Sequence, residues 1–321
     1  MSGGASKAKV RVPLSAGQRS DAAAVAVLRG LLGVILANRD GALDGRDPEY
    51  LHQFRISVRR SRTVQRQLAG VFPPLELRGF RSEFGWLQQA TGEARDLDVQ
   101  ALELESLRGR LPGAVRQDLD PLRAVLDHAR LAAHGQLVSV LRSRRTDDLL
   151  RDWEMLLESL VEMPTGGRER ATRPIGDFAA HRVRRAYRRL LKVGEGLTDA
   201  SPPSAVHALR KRGKELRYLL ELFAVPLHSA EALASLITPL KALQDVLGRH
   251  QDRHIQMTML RHAAPEVASL RGGPQAVLAM GMLVDRLAVD ARAARDELAA
   301  PLAELGSSEQ RHLVKRTLAS A

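Results

Sequence analysis

The sequence contains no cysteine. That excludes disulfides, a thiolate metal site and a cysteine nucleophile. Rings are scarce as well: two Trp, three Tyr and six Phe in 321 residues. A core of this chain has to be built mainly from Leu, Ala and Val, and the first two favour helix. The chain has no G-x-x-x-x-G-K-[ST] phosphate loop and no G-x-S-x-G nucleophile elbow, so an enzyme reading finds little support. The N-terminal stretch "MSGGASKAKVRVPLSAGQRSD" lacks the apolar segment of a cleaved signal. The most apolar early run, "VAVLRGLLGVILA" at 25–37, has 13 residues and includes Arg29. It falls short of the ~20 residues that cross a bilayer. The expected address is the cytoplasm, with no membrane partner.

What is present in excess is positive charge, and it is concentrated. The formal net charge is +12, from 49 Lys and Arg against 37 Asp and Glu. Three stretches, 51–66, 181–192 and 207–217, hold 16 of those cations and one acid, Glu215. The other 282 residues hold 33 cations and 36 acids. A positive field focused in this way points to an anionic partner. A solvated helix face normally mixes signs, whereas residues 51–66 contain no acid.

Helical periodicity runs through nearly the whole chain, as in 119–145 and 275–299. Breakers cluster at "GALDGRDPEY" (41–50), "VFPP" (71–74), "MPTGGRERATRPIGD" (163–177), "DASPPS" (199–204) and "LRGGP" (270–274). They divide the chain into about eight to ten helices. The expected organisation is an N-terminal tail (1–16), a first helical half (17–163), a linker (164–176) and a second helical half (177–321). The halves resemble each other. "LHQFRISVRRSRTVQRQL" at 51–68 aligns with "VHALRKRGKELRYLLELF" at 206–223, pairing His52 with His207, Arg55 with Arg210, Arg59 with Lys214 and Arg62 with Arg217. "LQQATGEARDLDVQ" at 87–100 aligns with "LQDVLGRHQDRHIQ" at 243–256, in the same order and at nearly the same offset. The expected fold is all-α: a duplicated helical unit packed as two similar bundles about a pseudo-two-fold axis.

At ~100° per residue, His52, Arg55, Arg59, Arg62 and Arg66 share an arc of about 80° on one helix. His207, Arg210, Lys214 and Arg217 share the equivalent face of the second, while Arg60 points elsewhere. A row of cations one turn apart matches a row of phosphates, and a guanidinium grips phosphate oxygens with two parallel hydrogen bonds. From the third basic stretch, which carries an apolar stripe of Val183, Tyr187, Leu190 and Leu191, the candidate ligand residues are Arg182, Arg185 and Arg189. His52 and His207 are either phosphate donors or histidines packed at a helix start. Asp96, Asp98 and Asp252 are either ordinary exposed carboxylates or anchors that hold an Arg in its rotamer. His250 and His254, four apart, have zinc-ligand spacing but no carboxylate set to complete a site. No metal and no cofactor is expected.

The paired H-x-x-R-x-x-x-[RK]-x-x-R helices, the "GEARDLDV" segment and the duplicated layout resemble the CHAD family, the conserved histidine α-helical domain, over roughly residues 17–318. The resemblance implies two four-helix bundles about a pseudo-dyad with a basic surface between them that binds inorganic polyphosphate. Many members carry a CYTH triphosphatase domain with an E-x-E-x-K run. No such run precedes the first helix here, so that activity is not implied. The second half reads "GRHQDRHIQ" where the first reads "GEARDLDVQ", so Arg95 and Asp98 lack counterparts.

These readings rank as follows. Binding of inorganic polyphosphate comes first, with recruitment to polyphosphate granules and their proteins as an extension. Nucleic-acid binding is second: it too wants Arg rows, but single-strand binders stack bases on aromatics, which this chain barely has. Metal-assisted polyphosphate hydrolysis is third. Asp96 and Asp98 lie two apart on a helix and point in different directions, so the chain is expected not to be an enzyme.

Overall fold

A computed structural model describes residues 4–8, 10, 12–198, 200–228 and 230–318, with the side chains of 230–232 left out. Parts of the expected tail (1–3, 9 and 11) and the end of the second half (319–321) lie outside the described residues. Among the described residues there are thirteen α-helices and no strand, only an isolated bridge between Arg19 and Pro174. Ten of the helices have at least 16 residues.

The order is α1 (Ser20–Asp44), α2 (Pro48–Gln67), α3 (Pro74–Ala90), α4 (Gly92–Gly109), α5 (Asp120–Leu141), α6 (Arg144–Ser159), α7 (Ile175–Glu195) and α8 (Pro203–Leu219). A π-helical turn, Leu220–Ala224, leads to the single turn α9 (Val225–Leu227). Then come α10 (Ala230–Ala268), α11 (Gly273–Asp296), α12 (Ala299–Leu305) and α13 (Ser308–Thr317). Local chemistry sets several ends. Gly45, at φ 70°, closes α1 in the left-handed conformation that costs glycine nothing. Asp47 caps α2 by accepting from the Glu49 amide at 2.8 Å, and Pro48 occupies the first turn. Ser143 caps α6 and Ser307 caps α13 in the same way.

α1 is 25 residues long and is apolar enough to cross a membrane, so the shortness of the 25–37 run is no argument. Burial accounts for its hydrophobicity instead: 61% of its most apolar 18-residue window is buried inside the protein.

Two apolar clusters hold the helices together. The larger one joins α1, α2, α3 and α6 to α7, α8, the first half of α10 and the C-terminal helices. Trp153 is at its centre, with ring centroids of Phe80 and Phe84 at 4.8 and 5.3 Å. The smaller cluster joins the far ends of α4 and α5 to α10 and α11, with Leu107, Leu122, Leu260 and Leu283 buried. Both clusters draw on both halves of the chain, so the cores do not divide at the linker.

That linker is irregular, yet it is fixed in place. Arg168 is 1% exposed and donates to the carbonyls of Val71 (2.8 Å) and Met163 (2.9 Å) and to the Asp21 carboxylate (3.2 Å). The Ser20 amide donates to the Arg173 carbonyl and the Ile175 amide to Gln18, tying the entry of α1 to the entry of α7. The segment 87–100 also differs from its partner 243–256. The first is interrupted at Thr91, between α3 and α4, and the second lies inside the unbroken α10.

Candidate anion-binding cleft

α2, α7 and α8 surround a cleft of 740 Å³. α2 contributes Arg59, Thr63, Arg66 and Gln67. α7 contributes Arg182, Arg185 and Arg189. α8 contributes His207, Arg210, Lys211, Arg212, Lys214, Glu215 and Tyr218. The lining thus holds nine Lys and Arg and one carboxylate. That carboxylate, Glu215, is buried and engaged: Arg212 lies at 3.0 Å and Arg189 at 4.0 Å, and the Gln67 amide donates to it.

The cations repel one another. Burial, with Arg59 and Arg210 close by, brings Lys214 down to about 7. Burial also lowers Arg210, with Arg59 adding repulsion across the cleft. Arg182 is lowered by burial and by its neighbours Arg170, Arg185 and Arg189. The buried Nε–H groups of Arg182 and Arg210 have no hydrogen-bond partner among the described residues. Such a site is costly as it stands and is relieved by an anion.

Of the residues the sequence singles out, Arg59, Arg66, Arg182, Arg185, Arg189, His207, Arg210 and Lys214 meet in this cleft. His207 is exposed and its Nδ1 is bonded to the Gln251 side chain at 2.9 Å. The other four lie around it. Arg55 turns to the C-terminal end of α3, donating to the Gln88 carbonyl (2.7 Å) and Thr91 Oγ1 (2.8 Å). Unpaired carbonyls at a helix end attract a cation, and burial there brings Arg55 down to about 10. Arg62 is lowered by burial and faces repulsion from Arg66, Arg59 and Arg81. Arg217 is held by Glu221 (2.6 Å) and Gln244 (3.1 Å). His52 is half-buried, and burial together with Arg95 keeps its ring below the ordinary histidine range. Arg60, on the other side of α2, is buried beneath Tyr218 and pairs with Glu221.

The three aspartates separate. Burial raises the Asp96 carboxyl against the pull of Arg55, Arg59 and Arg95. Burial likewise raises Asp252, with Arg210 opposing it most strongly. Each carboxylate thus lies in the field of one of the two cation rows. Asp98 instead accepts from Arg130 of α5 at 2.8 Å, beside a different cavity. Lys211 and Arg212 line the cleft although they lie off the expected face of α8; their place within the 207–217 stretch was the available signal. The His250 and His254 rings are 4.5 Å apart, and burial brings His250 down to about 4.

A family model described as the CHAD domain matches residues 26–261. The chain belongs to the CHAD family. The CHAD domain of the plant Ricinus communis has the same fold, with a TM-score of 0.77 and 25% identity, covering 95% of this chain and 97% of that one. PptA from Streptomyces chartreusis superposes with a TM-score of 0.65 at 19% identity, covering 88% and 99%. The uncharacterized protein Rv2226 of Mycobacterium tuberculosis is 28% identical over 267 residues, or 79% of this chain and 48% of that protein. The chain thus spans about half the length of the curated relatives it matches.

Proposed function

We propose that this CHAD protein binds inorganic polyphosphate in the α2/α7/α8 cleft and does not turn it over. The observation that carries the reading is the lining of that cleft: nine Lys and Arg with a single carboxylate, itself engaged. CHAD domains are linked to polyphosphate binding in general. A chain of phosphates offers charge without bases, which suits a cleft whose one aromatic is Tyr218. Asp96 and Asp252 each sit in the field of a cation row, Asp96 near Arg55 and Arg59 and Asp252 near Arg210 and Lys214, which suits a role in orienting those cations for a phosphate chain. Their matching positions also favour descent of the two halves from one duplicated unit, each bringing a row to the shared cleft. The same reading places the protein in the cytoplasm with polyphosphate granules as its partner, away from membranes.

Labelled long-chain polyphosphate, displaced by single-stranded RNA, duplex DNA or orthophosphate at matched phosphate, tests the ligand. Displacement by unlabelled polyphosphate well before either nucleic acid is the expected result. RNA or DNA competing equally well would transfer the cleft to nucleic-acid binding. Arg59→Glu and Lys214→Glu should each lower polyphosphate affinity by at least about tenfold, since reversal removes an attraction and adds a repulsion. Unchanged affinity in both would remove the cleft as the site. Incubated with Mg²⁺, long-chain polyphosphate should keep its length on a gel; steady release of orthophosphate would favour the hydrolase.

A further inference from the structure

α7 is basic on two adjoining flanks. At ~100° per residue, Arg182, Arg185 and Arg189 form one flank, and His181, Arg184, Arg188 and Lys192 continue the same half of the helix. The opposite half carries Val183, Ala186, Leu190 and Gly194, all buried. The second basic flank does not face the cleft. It lines a separate groove of 630 Å³, bounded on its far side by α13, which adds Arg311 and Lys315. Tyr187, Leu191 and Val314 form the floor, with the Tyr187 hydroxyl turned inward to the Leu305 carbonyl. The acid in the lining, Glu195, is held by Arg311 at 2.9 Å. Arg188, Lys192 and Lys315 are exposed. From 178 to 194 the helix contains no acid, whereas a merely solvated face would alternate signs.

We propose that the α7/α13 groove is a second polyphosphate-binding site, which takes the distal stretch of a long chain whose other part lies in the cleft. α7 is the ridge that the chain crosses. The proposal rests on the polyphosphate reading of the cleft. A helix with its side chains is ~10–12 Å across, so only a chain longer than the cleft reaches the groove. Once the cleft is occupied, the second contact is intramolecular and its effective concentration is high. The pair of sites therefore selects for chain length: short phosphates use the cleft alone, and long ones gain the groove.

The test compares tripolyphosphate with long-chain polyphosphate on the full chain carrying Arg188→Glu and Lys192→Glu together. Both side chains are exposed, so circular dichroism and the melting temperature should not change. Long-chain affinity should fall by about tenfold, and its slope of log K on log salt should flatten by ~1.4, at ~0.7 per lost contact. Tripolyphosphate affinity should stay as in wild type. The milder Arg188→Gln, Lys192→Gln pair should lose less, in the same direction. Equal long-chain affinity, an equal loss for both lengths, or a loss confined to single-stranded RNA would each overturn the groove. If Arg59→Glu abolishes long-chain binding while the α7 pair changes nothing, the groove alone fails. If wild type binds neither polyphosphate, the reading of the cleft fails first and the groove with it.

Discussion

Lys214 is a lysine surrounded by guanidinium groups, and its proton is weakly held, at about 7. In the unfolded chain it would keep that proton to ~10.4. Between those limits the unfolded state binds more protons than the folded one, so this residue makes stability rise with pH across that window. A bound polyanion acts in the opposite sense, favouring the charged form and drawing the proton back. Polyphosphate binding should therefore take up protons near neutral pH, and affinity should decline from about pH 6 to about pH 9. Lys214→Arg stays charged throughout and should flatten that decline. Calorimetry in buffers of different ionisation enthalpy reads the uptake directly; no uptake by wild type would remove Lys214 from the site. At this scale the sequence identifies the types of residue and the facing of Arg59 and Lys214. It does not say which cations of one row enter the cleft. Arg55 lies on the same helical arc as Arg59, but the Gln88 carbonyl and Thr91 hydroxyl that claim it lie at the end of α3, 33 and 36 residues away. A long side chain goes to whatever partner the tertiary structure supplies, and helical spacing carries no information about that partner.

Among the elements, the breakers locate five of the connections: 45–47, 68–73, 160–174, 196–202 and 269–272 all fall at or within a residue or two of a Gly/Pro cluster. Other features are hidden from such reading, two of them inside the matching segments or α10. The break at Thr91 has no proline, and α10 runs through Pro239 and Pro265 without ending. In both places packing overrides the local signal. The 164–176 segment is a linker by composition, and its composition conceals a buried ion pair. Asp21, in the first turn of α1, is fully buried and accepts from Arg19 at 2.7 Å and Arg168 at 3.2 Å. Removing one member of a buried pair leaves a charge uncompensated, typically at a cost of ~3–5 kcal/mol. Arg168 also serves carbonyls of Val71 and Met163, while Arg19 still holds Asp21. Arg168→Met should therefore lower stability by about 3 kcal/mol in urea unfolding, without altering the charges of the cleft. A loss below about 0.5 kcal/mol, the range of ordinary surface changes, would mean the segment is a loose tether.

The whole molecule is a near-neutral helical scaffold with its excess positive charge focused on α2, α7 and α8. That much is legible in the distribution of charge along the chain. The way the halves combine is not: periodicity says that a helix buries a face, and says nothing about which helix covers it. Hence one end of the α4/α5 pair completes a core with α10 and α11, while Ala94 of α4 and Ala133, Leu137 and Leu141 of α5 pack into the larger core with their own half. The larger core also mixes the halves, packing α2 of one with α7 and α8 of the other, and the cleft lies among these three helices. Its action at this scale is collective. A polyanion held by many cations releases their counterions and its own, and log K falls by ~0.7 per engaged phosphate for each unit of log salt. With the nine cleft cations engaged, the slope should be about −6, a loss of roughly 10³–10⁴-fold between ~50 and ~200 mM salt. Reversing Arg59 should flatten the slope as well as weaken binding, because one contact disappears from the count. A stability effect would weaken binding at every salt concentration by the same factor and leave the slope alone. A slope near zero for wild type would mean that the ligand is held by one or two groups, and the rows of cations would then need another explanation.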